Sequence, residues 1–331
     1  MLILRRAILR SIPLLSSLAL CASPASAQSY PERPVTVVVP FAAGGPTDVV
    51  ARIVSEHMSR TLGQQLIVEN VGGAGGTTGM LRVSQAAPDG YTIGVGNMGT
   101  QSAAPSLYPN LKYDPARSFD QIGVVNNTPM VIIARKETPA KDLAEFVAYL
   151  KANIAKISYG HAGVGSISHV VGTVFNAQQG LKPALVAYRG TGPALNDLVA
   201  GKIDFMIDQA LNNIPQIQAG TIRSYAVTAP TRLDAIKEVP TTTEAGMPDF
   251  TANAWNAMVG PKGLPGPVRD KLVAALKSAL DDPAIQKRYA DLGSSAPQGA
   301  DQGPDALQKL VEADMARLSP VLKAAAAAGA Q

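Results

Sequence analysis

The chain has 331 residues, 46% hydrophobic and 16% charged, enough for two domains with a substantial core. Its formal net charge is +4, but 3 of its 29 basic residues lie in the first 27 positions, so the remainder carries 26 − 25 = +1. That near-neutral balance argues against nucleic acid or an anionic membrane surface as a partner, and the only cysteine, Cys21, excludes disulfide and thiolate chemistry downstream.

The first 27 residues read as an export signal. Arg5, Arg6 and Arg10 precede an apolar stretch from Ile12 to Ala22, and Ala25-Ser26-Ala27 supplies a small-residue cleavage site, with cleavage expected after Ala27. The apolar run is short for a membrane span, and Leu20 before Cys21 is a poor fit to a lipoprotein site. The destination expected is the bacterial periplasm, an oxidising compartment that a cysteine-free mature chain suits.

The mature chain opens on an apolar strand, Val35 to Val39, which breaks into Phe41-Ala42-Ala43-Gly44-Gly45 and then a helix. Pro46 takes the first helical position, Thr47 and Asp48 the first turn, and Gly63 stops the run. A helix start after such a turn offers backbone N–H groups to an anion. The same glycines also serve simply as a tight turn, and Asp48 as a helix stabiliser. A second glycine stretch, Gly72 to Gly79, enters a short helical pattern that ends at Pro88-Asp89-Gly90. Gly75 and Gly76 let the backbone approach a ligand, and Thr77 and Thr78 add hydroxyl donors.

Tyr91 to Gly96 reads as a strand, and Gly94-Val95-Gly96-Asn97-Met98-Gly99 fits the dinucleotide spacing, with Asp120 near the ribose-binding position. Pro105 and Pro109 argue against the helix that such a site needs, which leaves Thr100, Gln101 and Ser102 as polar groups at a strand edge. Ile122 to Asn126 and Met130 to Ala134 are two strand-like runs suited to crossing into a second lobe. A helix from Leu143 follows, then a strand at Ile157 enters a second glycine-rich turn. That turn carries His161, Ser166, Ser168 and His169 into the next helix. Leu185 to Tyr188, Ile203 to Asp208 and Ile222 to Thr228 are further strands, the last expected to return to the first lobe. Trp255 to Val259 and three C-terminal helices complete an α/β pattern with largely parallel sheets.

Enzyme signatures are sparse. His57, His161 and His169 are the only histidines, and no pair has metal-ligand spacing. No Walker motif or G-x-S-x-G elbow occurs, so a secreted serine hydrolase would have to use Ser166 or Ser168 with His169.

Taken jointly, P-F-A-A-G-G-P-T-D, G-A-G-G-T-T-G and P-D-G-Y-T resemble the Bug family, the periplasmic receptors of tripartite tricarboxylate transporters. Tyr159-Gly160-His161-Ala162-Gly163-Val164-Gly165-Ser166, Tyr188-Arg189-Gly190-Thr191-Gly192-Pro193 and Asp208 extend the resemblance. His161, where a small serine is usual, and Gln209-Ala210 depart from it.

The resemblance implies a type II periplasmic-binding-protein fold, with two lobes, a hinge and a ligand cleft. The first lobe is expected from 28–126 and 229–331, the second from 127–228. It implies capture of a small organic carboxylate without cofactor, by a monomer that hands it to large and small integral-membrane subunits or serves a membrane sensor. The ligand contacts implied in the first lobe are Phe41, Ala43, Gly44, Gly45, Thr47, Asp48, Gly75, Gly76, Thr77, Thr78, Thr100 and Gln101. Those in the second are Ser166, Ser168, His169, Arg189 and Asp208, the last two either touching ligand or pairing with each other.

Overall fold

The structure, a computed structural model, describes residues 30–327; the signal-peptide reading lies outside the described residues. Strand β1 (Val35–Val39) is buried on both faces, which its continuous β-branched run requires. Helix α1 (Pro46–Leu62) follows, turning Val50, Val54 and Met58 into the core. It ends where Gly63, at φ 72°, donates its N–H to Ser59 O. Then come β2 (Leu66–Asn70), α2 (Thr77–Ser84) and β3 (Thr92–Asn97). Both β2 and β3 run parallel to β1, on its two sides.

Contrary to expectation, the chain does enter helical turns directly after β3, at Gly99–Ala103, and continues into α3 (Ala104–Leu107). Pro105 sits in the first turn of α3, where no intrahelical N–H is needed, so it does not block the helix.

The two strand-like runs at 122–126 and 130–134 form one strand, β4 (Phe119–Arg135), that threads both lobes. Its second half pairs antiparallel with β7 (Phe205–Gln209) and β8 (Ile222–Val227). Between these come α4 (Leu143–Asn153), β5 (Ser158–His161), α5 (Ile167–Gln179), β6 (Ala184–Ala187) and α6 (Thr191–Val199). Strand β5 lies parallel to both β6 and β7. Helix α7 (Ala210–Gln218) joins β7 to β8; it keeps Pro215 within it, which made it hard to read from sequence.

Beyond β8 the chain stays beside the second half of β4. Strand β8 pairs with Val131 to Arg135 of β4, its Val227 also bridges Thr241, and Ile236 and Val239 pack with Val131 and Leu198. Phe250 still rests on Phe175 of α5. Strand β9 (Asn253–Pro261) pairs antiparallel with β3 and with the first half of β4. Helices α8 (Gly266–Asp281), α9 (Pro283–Asp291) and α10 (Pro304–Ala327) finish the described chain.

The nine strands form one sheet of order β2-β1-β3-β9-β4-β7-β5-β6, with β8 also on β4. The sheet is mixed rather than largely parallel, because the strands that go out to the second lobe and come back necessarily oppose one another. The first lobe packs Val37, Val39, Met58, Leu276 and Tyr289 together; the second packs Ile133, Leu198, Met206 and Ile214.

Asp120, at the spacing of a ribose ligand, has a structural task. Its carboxylate accepts from Lys262 Nζ at 2.8 Å and from the backbone N–H groups of Gly263 and Leu264 at 2.9 and 2.8 Å. Burial alone would raise its pKa, but these donors outweigh it and hold the carboxyl below the usual range. Asp120→Ala should strand two backbone donors and lower stability by about 1–3 kcal/mol with ligand affinity unchanged. Urea unfolding and calorimetry check this; an affinity loss with normal stability would place Asp120 at a ligand instead.

Candidate functional site

Two loops of the first lobe and two of the second meet at the mouth between the sheet halves. The first loop is shaped by Asp48, 4% exposed at the start of α1. Its carboxylate accepts from Gly44 N at 3.0 Å, Asn70 Nδ2 at 2.9 Å and the Arg52 guanidinium at 2.9–3.1 Å. Burial opposes ionisation, but these donors together hold Asp48 below its ordinary pKa. Asp48 therefore braces the loop from behind, and takes up the Gly44 N–H that sequence reasoning offered to a ligand. Asn70 also donates to Phe41 O at 3.0 Å, fixing the loop's entry.

The second loop turns through consecutive left-handed residues, Ala74, Gly75 and Gly76 at φ 44°, 61° and 95°. Thr77 Oγ1 donates to Ala74 O at 2.9 Å, while Thr78 is exposed on the outside of the turn. Gly76 packs inside its own lobe: a Cβ there would stand 2.6 Å from Thr100 and 2.8 Å from the Phe41 ring. Gly75 faces the other lobe, and a Cβ on it would lie 1.8 Å from Val164 O.

The lobes are closed on each other. Ala42 N donates to Arg189 O at 2.9 Å and Tyr108 Oη to Val164 O at 2.7 Å. A Cβ on Gly45 would touch Thr191 Oγ1 at 3.4 Å, and one on Gly72 would lie 2.9 Å from Arg189 O. Behind this mouth lies a cavity of about 20 Å³, room for about one water, walled by Phe41, Gly45, Pro46 and Thr47 on one side. Ala162, Ser166, Ser168, Thr191, Asp208 and Gln209 wall the other.

A neutral polar network floors the cavity where β4 and β9 cross between lobes. Asn256 Nδ2 donates to Asn126 Oδ1 at 2.9 Å and to Gln209 Oε1 at 3.0 Å. Thr47 Oγ1 donates to Asn256 Oδ1 at 2.8 Å and accepts from Asn97 Nδ2 at 3.1 Å. All five residues are buried. Asn97, Asn126 and Asn256 were not singled out as site residues. The available signal was an asparagine inside an otherwise apolar strand, where burial demands a partner.

On the second lobe, Ser166 caps α5, its Oγ accepting from His169 N at 3.3 Å and lying 3.2 Å from Ser168 Oγ. Ser168 Oγ accepts from Ala162 N at 3.0 Å. His169 Nδ1 accepts from Gly165 N, His161 Nδ1 from Gly163 N, and the two rings lie 4.9 Å apart. Both imidazoles are thereby held as the Nε2–H tautomer. His169 Nε2 is buried without a hydrogen-bond partner, so the serine–histidine pairing that a hydrolase needs is not formed.

Arg189 is exposed and contributes its carbonyl to closure. Asp208 instead takes Asn212 and Asn213 at 3.4 Å each, with Thr191 and the Gln209 N–H, so the two do not pair. Thr100 and Gln101 lie fully buried behind the second loop rather than on the cavity wall. Thr100 Oγ1 donates to Asn97 O at 3.1 Å and accepts from Asn97 N at 3.0 Å. Gln101 has neither amide atom hydrogen-bonded.

Two α/β lobes joined by crossing strands and closed over a small polar cavity define a solute-binding receptor. Residues 50–326 match the model of the tripartite tricarboxylate transporter family receptors (TctC), and the chain belongs to that family. A protein encoded in the TAR-I ttuE-ttuC' intergenic region of Agrobacterium vitis is 44% identical over 298 residues, 90% of this chain and 86% of the relative. The periplasmic binding protein BugD superposes with a TM-score of 0.87 at 44% identity, covering 90% of this chain and 99% of its own. MatC of Rhodopseudomonas palustris, solved with bound malate, superposes with a TM-score of 0.85 at 41% identity, covering 88% and 100%.

Gly75→Ala should block closure while sparing the lobes. The new methyl meets Val164 O, and the left-handed backbone adds only about 1 kcal/mol of strain. Ligand affinity should fall at least ~100-fold, and small-angle scattering should show a wider molecule with ligand present. Normal closure by the variant would show that the loops can part here without cost. Gly76→Val is a less clean test, because its side chain strikes its own lobe.

The titrations of Asp208 and His169 oppose each other. Burial pushes the Asp208 carboxyl up to about 6 from 3.8, against the donors that surround it. Between those values the folded protein keeps a proton that the unfolded chain releases, so stability falls as pH rises. Burial, with His161 alongside, pulls His169 down to about 4 from 6.5; there the unfolded chain binds the proton, so stability rises with pH. His169→Gln removes only the rising part. The wild type's advantage over this variant should grow by roughly 2–3 kcal/mol between pH 4 and 7 in urea unfolding. A pH-independent difference would mean that His169 does not titrate with folding.

Proposed function

We propose that this receptor captures a small organic carboxylate between its lobes and passes it to large and small integral-membrane transporter subunits. The proposal includes export to the periplasm with cleavage after Ala27, and action as a monomeric binding protein rather than an enzyme. The lobes are taken as meeting at Asn126–Thr128 of β4 and at the entry to β9. Malate bound in MatC, 41% identical to this chain, supports a carboxylate ligand.

The observation that carries the reading is the composition of the two first-lobe loops. Neither 41–47 nor 72–79 contains a lysine or arginine, and each leads into a helix start, the positive end of the helix dipole. Arg52 is engaged by Asp48, and Arg82 by Glu69 at 2.6 Å on the outer surface. Attraction for an anion therefore comes from backbone dipoles and bridging water rather than from a dedicated cation. Opening of the lobes is part of the cycle, since a cavity that holds about one water admits no organic acid as it stands.

A bound acid should lose at least ~10-fold in affinity on conversion to its primary amide, about 1.4 kcal/mol. Moderate salt should change the acid's affinity little, because closure shields the contact. Calorimetry of both compounds at constant pH and several salt concentrations checks this. Equal binding of acid and amide would refute a carboxylate site, and a steep salt dependence would assign the attraction to exposed basic residues.

A further inference from the structure

Among the described residues, Asp208 is the only ionisable one on the cavity wall, and it is 2% exposed. A buried carboxylate in a receptor for carboxylates would repel its own ligand unless the ligand brings a proton to share. Its surroundings leave it room to accept. Thr191 and the Gln209 N–H donate to it, but the Asn212 and Asn213 amides reach it only at 3.4 Å, the outer limit of hydrogen bonding, so two of a carboxylate's roughly four lone-pair sites are loosely held and open to a better donor. Asn213 Nδ2 bonds better elsewhere, to Gln209 O at 2.8 Å. No lysine, arginine or histidine lines the cavity, so no fixed charge neutralises Asp208. The Ser166 and Ser168 hydroxyls are engaged with each other and with backbone N–H groups.

We propose that Asp208 is a specificity residue: it accepts a hydrogen bond from a hydroxyl or ammonium carried by the ligand, and disfavours acids that lack such a donor. This rests on the carboxylate reading above. The first-lobe loops take the ligand's carboxylate, and the opposite wall requires a hydrogen-bond donor. An acid without one leaves Asp208 desolvated and unmatched, or sets two carboxylates face to face.

The test uses matched acids of two lengths on the whole mature protein: succinate, malate and aspartate, then glutarate, 2-hydroxyglutarate and glutamate. Calorimetry should show the better of the hydroxy and amino acids binding on the order of tenfold or more tightly than the plain diacid of that length. Which of the two wins identifies the donor as hydroxyl or ammonium. Asp208→Asn should shrink the preference to within about threefold, chiefly by improving the plain diacid. The wild-type comparison decides even if the variant fails to fold. Plain diacids that bind wild type as tightly as their substituted partners would overturn the proposal while leaving the carboxylate reading intact. So would a preference that persists in Asp208→Asn. Failure of all six acids, alongside failure of other carboxylates, would overturn the reading beneath it as well.

Discussion

Closure of this protein depends on main chain meeting main chain across the gap between lobes. The Ala42 N–H reaches Arg189 O, and the turn at Gly75 comes so near Val164 O that a single methyl would lie 1.8 Å from it. Approach this close favours residues without a Cβ: a methyl on Gly72 or Gly75 on one side, or on Gly163, Gly190 or Gly192 on the other, would come within 3 Å of the facing backbone. Interlocking side chains would give a wider and more adjustable contact. Backbone contact leaves a small cavity whose shape is set by the strands and helices behind each loop, so ligand selection becomes a matter of a few groups placed on rigid supports.

Those supports are tied by uncharged polar groups. Thr47, Asn97, Asn126, Gln209 and Asn256 form one buried network across the place where β4 and β9 pass between lobes. A network of amides and a hydroxyl holds orientation without the desolvation cost of a buried ion pair. Its Gln209 belongs to the second lobe and Thr47 to the first, so it registers the position of one against the other. The charged residues near the mouth work from outside: Asp48 and Arg52, with the Asn70 amide, shape the first loop without lining the cavity.

Against this neutral background Asp208 and the pair of histidines are the exceptions. His161 and His169 are held in one tautomer by the glycine turn that precedes α5, and burial keeps them uncharged. Neither lines the cavity, and neither brings a positive charge to the turn before α5. The glycine loops accord with the chain's membership in the tripartite tricarboxylate transporter receptor family, while the departures at His161 and Gln209 fall beside His169 and in the buried network between lobes.

Local sequence determined the elements whose signals are short-ranged. The valine run of β1, Pro46 and Gly63 at the ends of α1, and the glycine turn before α5 were all legible, since backbone dihedrals and helix-end signals act within a few residues. What no local pattern could carry was decided by contacts between distant segments. Leu66–Asn70 became a strand because β1 offered it an edge, and β4 ran unbroken through Pro129 because β9 lay alongside. Tertiary contact also sorted the candidate residues. It turned Asp48 and Asp120 to bracing loops, buried Thr100 and Gln101 behind the second turn, and brought Asn126 beside Asn256, 130 positions away. Glycine and proline announce what the backbone can do; whether a polar side chain faces a ligand or a neighbour is settled only by which distant strand lies next to it.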